Sequence, residues 1–220
     1  MTTRTVRGNQ TRRDILAAAA DLFHKQGVVA TSPDQVIEAS GTGKGQFYHY
    51  FKNKEGLVHE VLHAYLQEIR DGSGSISYEI ESWSDLERWF VAHLNLQKRF
   101  DMTRGCPFGT IGNEVTEKDE LIRQDLSLIF EVVKSRIAKF FLKEKAGGRL
   151  KPGTPEDELA DFCVAMIQGA MLLGKVKRNS QIVETTMRET MRHLRGHERG
   201  PARARSRHPR RISMRATPHR

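Results

Sequence analysis

The chain has 220 residues, of which 38% are hydrophobic, a share that suffices for a globular core. No stretch reaches the roughly 18–20 uninterrupted apolar residues of a membrane-spanning helix, and the N-terminus lacks the apolar segment of a signal peptide, so we expect a cytoplasmic protein with no membrane contact. The two cysteines, Cys106 and Cys163, lie far apart without metal-ligand or disulfide spacing, so we expect reduced thiols.

The formal net charge of +9 is concentrated at the two ends of the chain. Residues 195–220 hold nine arginines against one acidic residue, Glu198. Residues 1–54 hold eight lysines and arginines against four acidic residues, whereas the body between these segments is mildly acidic. This distribution indicates a basic N-terminal unit suited to nucleic acid, joined to a body with another role.

Three helices are predicted at the N-terminal end. Apolar residues with helical spacing predict a first helix over about residues 10–26, and Gly27 stands where a left-handed cap ends it. The sequence SPDQ at 32–35 is a capping box with proline at the first helical position, so it begins a second helix that ends near residues 40–41. A third helix is predicted over about residues 44–50.

Two short helices joined by a glycine turn form a helix-turn-helix. We therefore predict a helix-turn-helix DNA-binding domain over residues 9–52, preceded by a basic flexible arm at residues 1–8. Phe47 and Phe51 lie one turn apart, and we expect both to be buried in the core of this domain.

The rest of the chain is also predicted to be helical, with a flexible break at residues 72–75. Further helices are predicted from Asn53 to about Asp71, around residues 86–96, as a short helix that follows a loop containing residues 105–109, over about residues 121–146, and in a hairpin of two helices that begin near Pro155 and Ser180. No strand pattern occurs, so the predicted fold is all-α, with a larger helical domain over residues 53–195. Residues 196–220 lack apolar periodicity and are predicted to form a disordered Arg-rich tail.

The sequence GTGKGQFYHYFKNKEGL at 41–57 resembles the recognition segment of the tetracycline-repressor (TetR) family of transcriptional regulators. The resemblance covers about residues 9–60. It implies that a short helix enters the major groove of double-stranded DNA, where Gln46 reads a base edge and Gly45 permits close approach. It also implies phosphate contacts from Lys44, Tyr48 and Lys54. The full set of implied DNA-binding residues is Ser32, Pro33, Lys44, Gly45, Gln46, Tyr48, His49, Tyr50 and Lys54.

The segment GCPFG at 105–109 is similar to that of a branch typified by multidrug-resistance regulators. The family resemblance implies a repressor that is released when a small molecule binds the C-terminal body and shifts the fourth helix. The apolar stripes of the last two helices exceed what one hairpin buries, so we expect a homodimer through these helices and a palindromic operator. We expect no enzymatic activity, no cofactor and no metal.

The candidate effector pocket is a set of aromatic and methionine side chains with few polar partners, suited to a largely apolar compound. His93 is the expected polar anchor of this pocket. Nothing near Cys106 predicts a lowered thiol pKa, which argues against an oxidant sensor. The candidate pocket residues are Trp89, His93, Phe100, Met102, Phe108, Phe130, Phe162 and Met166.

Two alternatives remain open at this stage. His59-Glu60-Val61-Leu62-His63 is a literal HExxH, the zinc-metallopeptidase motif, but the apolar stripe of its helix lies away from both histidines, so we expect them to face solvent or a lateral neighbour. The Arg-rich tail alone is the basis of the second alternative, a sequence-indifferent nucleic-acid-binding protein.

Overall fold

The computed structural model describes the backbone of residues 3–200 and the side chains of residues 8–200. Within this part the chain forms helices and no strand, which confirms the all-α prediction. The helices are α1 (Thr3–Gln26), α2 (Pro33–Ser40), α3 (Lys44–Tyr50), α4 (Lys54–Asp71), α5 (Trp83–Arg99), α6 (Pro107–Gly112), α7 (Glu120–Ala146), α8 (Glu156–Lys177) and α9 (Ser180–Arg195).

The first three helices form the predicted three-helix unit, in which α1 packs against α2 and α3. The capping box of α2 is present: Ser32 Oγ accepts from the Gln35 N–H at 3.3 Å, and Gln35 Oε1 accepts from the Ser32 N–H at 2.8 Å. Gly41 ends the helix with a φ of 64°, a left-handed conformation that favours glycine. Phe47 and Phe51 are buried, as expected from their spacing.

The first helix begins at Thr3 rather than near residue 10, so the backbone of residues 3–8 is helical and the prediction of a flexible arm there was wrong. The early residues are polar and carry no apolar periodicity, which is why the sequence pattern gave no helix signal. A tertiary contact holds this end of the helix, because the Tyr50 hydroxyl donates to the Gly8 carbonyl at 3.0 Å.

The fourth helix joins the three-helix unit to the rest of the molecule. Asn53 caps it by accepting from the Gly56 N–H at 2.8 Å, and the helix packs against α1 on one side and α7 on the other. Its apolar side chains are buried between these neighbours: Leu57, Val58, Val61, Leu62, Leu66 and Ile69. α4 therefore connects the three-helix unit to α7.

The C-terminal body is built from α5 to α9, with α8 packed between α7 and α9. After the predicted break at 72–75 the chain does not remain solvated, because Ile76, Tyr78 and Ile80 alternate into the core. α8 is the one helix of the described residues that is long and apolar enough to cross a membrane, but one such helix is weak support for a membrane span, and its buried side packs against α7 and α9.

The first residues of the C-terminal tail are ordered, which corrects its predicted boundary at residue 196. The Lys151 N–H donates to the His197 carbonyl at 2.9 Å, and the Arg199 N–H donates to the Arg149 carbonyl at 2.7 Å. Antiparallel backbone bonds of this kind leave no side-chain signature in the sequence. Residues 201–220 of the predicted tail lie outside the described residues.

Candidate functional site

The third helix presents an exposed polar surface above a buried aromatic base. Phe47 is fully buried under the helix, whereas its neighbour Tyr48 has 52% of its surface exposed and touches the Phe47 ring edge-on at 5.2 Å between centroids. Lys44, Gln46 and His49 are exposed on the same short helix. Predicted DNA-contacting side chains therefore stand free of the core, with Tyr48 braced by a packed ring.

Several of the predicted DNA-binding residues already have intramolecular partners. Gln46 Oε1 accepts from the N–H of Gly43, the N-cap residue of α3, at 3.3 Å, whereas glycine has no side chain to accept from the first turn of the helix. Lys44 Nζ pairs with Asp34 at 2.9 Å, and this exposed pair raises the pKa of the lysine, which stays cationic. Lys54 Nζ donates to the Val29 carbonyl at 3.2 Å.

Ser32 and Pro33 stand at the start of α2, and Tyr50 stands at the end of α3. Tyr50 is partly buried because its hydroxyl bonds to Gly8, so it differs from the more exposed Tyr48. The backbone of Gly45 is open on its outer side, with no atom within 4 Å of a Cβ placed there.

A cavity of about 260 Å³ lies at the junction between the three-helix unit and the body. Its walls come from α1, α4, the segment at 74–78, α5, the loop at 99–106 and α6. Side chains that give it chemical character are His24, Glu68, Tyr78, His93, Arg104 and Phe108. An occupant of this cavity would touch both α1, which packs against the exposed third helix, and α4, which connects the two parts.

Charged groups at the cavity wall connect α1 to the loop after α5. Arg104 Nη1 donates to Asp21 Oδ1 at 2.6 Å, and its guanidinium lies 4.2 Å from the centre of the Phe100 ring. Burial, with a further contribution from the Asp71 charge, raises the pKa of Glu68. The cavity therefore combines aromatic surface with a cation and a carboxyl group.

Two buried histidines at the cavity are held in defined tautomers. His24 Nε2 lies 2.8 Å from the Gly105 carbonyl, and His93 Nδ1 lies 2.8 Å from the Trp89 carbonyl. A carbonyl oxygen only accepts, so each of these nitrogens donates and the other ring nitrogen is an acceptor when the ring is neutral. Burial lowers the pKa of His24 and lowers that of His93 to about 4, so both are neutral near pH 7.

The predicted pocket residues divide into three groups. His93, Phe100 and Phe108 line the cavity. Trp89 and Phe130 line a much smaller space of about 10 Å³ beside it, which shares His93 and Phe108. The remaining three, Met102, Phe162 and Met166, line neither space. Met102 instead packs against Gly174, and the Phe162 ring lies 5.0 Å from the ring of His193.

The first helix contributes to the cavity, which the sequence pattern did not predict. Asp21 and His24 lie in α1, which the motif assigned to the DNA-binding domain. One signal was available: His24 follows Ala20 by one turn and Leu16 by two, so it continues the apolar face of the helix. A histidine in such a row is a candidate for a buried, functional position.

A second connection between the two parts is made by Glu114, which follows α6. Glu114 Oε2 accepts from the Val28 N–H at 2.6 Å and from the Val29 N–H at 2.9 Å. These donors belong to the turn between α1 and α2. The turn that positions the second helix is therefore held by a carboxylate of the body.

The HExxH histidines face a lateral neighbour, as the sequence predicted. His59 Nδ1 lies 2.7 Å from Asp125 Oδ2, and His63 Nε2 lies 3.5 Å from Asp125 Oδ1. Glu60, which would be the catalytic base of a metallopeptidase, instead pairs with Arg12 of α1. A base held by a guanidinium is poorly suited to activate water, so the motif does not support peptidase activity.

Cys106 is buried at the cavity edge and does not have the setting of a reactive thiol. Burial raises the pKa of its thiol, and Gln168 Nε2 donates to the sulfur at 3.3 Å. Burial also raises the pKa of Cys163 to about 12. Thiols with raised pKa values react slowly, in agreement with the sequence-based expectation.

Comparison with known proteins gives matches to both parts of the chain. The sequence profile for bacterial regulatory proteins of the tetR family matches residues 15–61, and the profile for the tetracyclin repressor-like C-terminal domain matches residues 84–190. The chain is 30% identical over 174 residues to the HTH-type transcriptional regulator LmrA of Bacillus subtilis, covering 77% of this chain and 88% of that protein.

Two further relatives cover most of the chain. It is 25% identical over 175 residues to the HTH-type transcriptional repressor DhaR of a Mycobacterium species, covering 77% of this chain and 85% of that protein. The solved structure of regulatory protein TetR from Rhodobacter sphaeroides is 25% identical and superposes with a TM-score of 0.70, covering 82% of this chain and 97% of that one.

Proposed function

The chain belongs to the TetR family of helix-turn-helix transcriptional regulators, and we propose that it is a repressor that a small molecule releases from DNA. The observation that carries the proposal is the cavity between α1 and the body, because its occupant would contact the DNA-binding unit directly. One relative, DhaR, is named as a repressor, which supports this direction of regulation.

The DNA end of the mechanism rests on the exposed surface of α3. A seven-residue helix is about 10 Å long, which suits insertion into the major groove of B-DNA. Tyr48 and the cations Lys44 and Lys54 would contact phosphates and fix the register. Gln46 would break its hydrogen bond with the Gly43 N–H in order to read a base edge. That N–H would then be free to bond to a phosphate.

A homodimer through α8 and α9 is proposed, and the exposed apolar surface of α8 supports it. Leu172, Leu173 and Val176 expose 47%, 49% and 69% of their surfaces on α8. Exposed large apolar groups in a row indicate an interface, and a second copy of the hairpin would cover them as a four-helix bundle. Two-fold symmetry of the dimer would then require a palindromic operator.

The proposed effector is a small, largely apolar molecule with a polar group. Phe100, Phe108 and the tyrosines supply aromatic surface, while Arg104 and Glu68 supply charge at the wall. Burial raises the pKa of both Tyr65 and Tyr78, so these side chains are neutral hydroxyls near pH 7. The polar group of the effector would bond to one of these charged or hydroxyl groups.

Release from DNA would follow from the ties between α1 and the loop after α5. Arg104 bonds to Asp21, and His24 bonds to the Gly105 carbonyl, so both ties cross the cavity wall. An occupant that draws Arg104 or Phe100 toward itself would break these contacts and let α1 turn. The two half-sites of an operator lie about 34–36 Å apart. Small rotations of the two DNA-binding units of a dimer would therefore be enough to lose the match between their spacing and that of the half-sites.

The family is one of regulators rather than enzymes, and we propose no catalytic role for any residue. We expect the protein to act in the cytoplasm, where its DNA lies. The alternative in which the Arg-rich tail does the binding predicts no sequence preference and a steep salt dependence.

Selection of random duplex DNA separates these alternatives. The full chain and a variant that ends at residue 200 are each incubated with random duplexes at about physiological salt. We expect both to enrich the same palindrome, with lower non-specific affinity for the shortened chain. Enrichment of no sequence by either protein, with both shown to be folded, would refute the proposal.

Screening of compounds against the protein–operator complex then tests ligand response. We expect release by an aromatic compound for the wild type. Phe108→Trp, which would fill part of the cavity, should keep operator binding and lose the response. Release of both proteins by the same concentrations of compound would place the effector elsewhere.

A further inference from the structure

Three metal-ligating side chains meet where α4 crosses α7. His59 and His63 lie one turn apart on α4, with ring centroids 4.3 Å apart, and Asp125 of α7 lies against both. One ligand atom of each residue lies within 4.8 Å of the other two. The HExxH spacing placed the two histidines one turn apart, but nothing in the local pattern indicated that a carboxylate of α7 would complete the cluster.

Asp125 is the unusual member of this cluster because its side chain is only 9% exposed. A buried carboxylate needs a positive partner or several hydrogen-bond donors. The groups that face its two oxygens are imidazoles, one at 2.7 Å and one at 3.5 Å. A cation bound between the two imidazoles and the carboxylate would supply the positive partner that a buried carboxylate favours.

We propose that His59, His63 and Asp125 bind a divalent late first-row transition ion, with Zn²⁺ as the representative case. Two imidazoles and one carboxylate are the ligand set that zinc accepts with a fourth position left to water. The hard ions Mg²⁺ and Ca²⁺ prefer oxygen ligands and are excluded by the two nitrogens. The His63 side chain is 46% exposed, so ion and water reach the site from solvent.

Binding would draw the ligand atoms of the three side chains, which lie within 4.8 Å of one another, closer together. Ligand atoms about 2.0–2.2 Å from a tetrahedral zinc lie a little more than 3 Å from each other. The His59–Asp125 contact of 2.7 Å would open slightly as the ion enters between the two atoms and the His59 ring carries its proton on Nε2, and the His63–Asp125 contact of 3.5 Å is already suitable.

The position of the site indicates control of DNA binding rather than catalysis, an inference that depends on the function proposed above. Glu60, the next residue after His59, pairs with Arg12 of α1. An ion that joins His59 and His63 to Asp125 would therefore fix the same turn of α4 that holds α1. Fixing α4 against α7 would fix the orientation of the DNA-binding unit relative to the body.

Zinc binding to the full chain, without a purification tag and after dialysis against chelator, tests the site directly. We expect one Zn²⁺ per chain by titration calorimetry. We expect His63→Ala to weaken this binding by at least tenfold, since even outer residues of metal sites cost about 10–100-fold when removed. His63 is part-exposed, so this variant should fold, and circular dichroism checks that it does.

The matched control is the double variant His193→Ala/His197→Ala, which removes another neighbouring pair of histidines, with ring centroids 5.4 Å apart. We expect it to bind Zn²⁺ like the wild type. Asp125→Asn should lose binding while keeping both histidines. Equal zinc binding by the wild type and His63→Ala, or no saturable binding by the wild type, would overturn the proposal.

The regulatory step is tested separately from binding. Once the operator is known, its affinity is measured with and without saturating Zn²⁺ for the wild type and for His63→Ala. We expect a change of at least about threefold in the wild type and none in the variant. If zinc binds without this change, the regulatory step is wrong; if the chain binds no operator either with or without zinc, the proposed function itself fails.

Discussion

Glu114 holds the turn between α1 and α2 by accepting a hydrogen bond from the Val28 N–H at 2.6 Å. It also accepts from the Val29 N–H, so one carboxylate of the body satisfies two backbone donors of the DNA-binding unit. A charged acceptor forms stronger hydrogen bonds than a neutral one. This contact makes the position of α2 depend on the segment after α6.

We expect Glu114→Ala to lower the free energy of unfolding by about 1–3 kcal/mol, because two backbone donors lose their acceptor. Urea denaturation at constant protein concentration measures this loss. The control is Glu117→Ala, an exposed glutamate in the same loop, which should change stability by less than about 0.5 kcal/mol. Equal effects of the two substitutions would mean that Glu114 does not hold the turn.

Gly27 is adapted both to its backbone angle and to the close approach of Glu114. Its φ is 89°, and a Cβ placed there would lie 2.0 Å from Glu114 Oε1. We expect Gly27→Ala to destabilise the protein by more than the about 1 kcal/mol that an unfavourable φ costs alone. Gly153→Ala provides that baseline, since Gly153 has a φ of 77° and no atom within 4 Å of its Cβ position.

Thermal or urea denaturation of the two glycine variants gives the comparison. The excess loss in Gly27→Ala should shrink when Glu114→Ala is added, because the clashing carboxylate is then gone. An excess that persists in this double variant would argue against the close approach of Glu114 as its cause.

Tyr48 and Tyr50 have different roles despite being two residues apart. The exposed Tyr48 hydroxyl is free to contact a phosphate, whereas the Tyr50 hydroxyl donates to Gly8. We expect Tyr48→Phe to weaken operator binding by about 0.5–1.5 kcal/mol without loss of stability. Tyr50→Phe should instead lower the free energy of unfolding by a similar amount. Fluorescence anisotropy measures operator binding, and urea denaturation measures the free energy of unfolding. A loss of stability in Tyr48→Phe but not in Tyr50→Phe would contradict the prediction.

The sequence predicted local features of the fold well because local interactions determine them. The SPDQ capping box begins α2 at Pro33, and Gly41 ends it after Ser40. The cavity was predicted only in part, because Asp21 and Arg104 meet through the packing of α1 against the loop after α5. No periodicity links positions so distant in the chain, and for the same reason the sequence did not predict that Asp125 lies against His59 and His63.

His93 should make the protein less stable in acid. Its ring is fully buried, and burial lowers its pKa from an ordinary value of 6.5 to about 4. Between these values the unfolded chain binds a proton that the folded chain does not, so stability decreases as pH falls. The contribution of His93 to this loss is about 3 kcal/mol, beginning near pH 6.5 and complete near pH 4.

Comparison with His93→Asn isolates this effect, because asparagine keeps an N–H that can donate to the Trp89 carbonyl but does not titrate. The free energy of unfolding is measured at several pH values from 7 to 4 for both proteins. The variant is less stable at pH 7, but its stability should fall less steeply with pH than that of the wild type. Parallel pH profiles would show that His93 does not change its protonation between the folded and unfolded states in this range.

Val176 tests the proposed dimer interface because it is the most exposed of the apolar residues on α8. A carboxylate buried in a dimer without a partner costs several kcal/mol, so Val176→Asp should shift the protein to monomers in sedimentation analysis. Leu142→Asp is the matched control, since Leu142 of α7 is 50% exposed but lies on another helix. The control should remain dimeric. Loss of the dimer in the control alone would indicate that the interface lies on α7. The expected spacing of the two α3 helices in the dimer would then change as well.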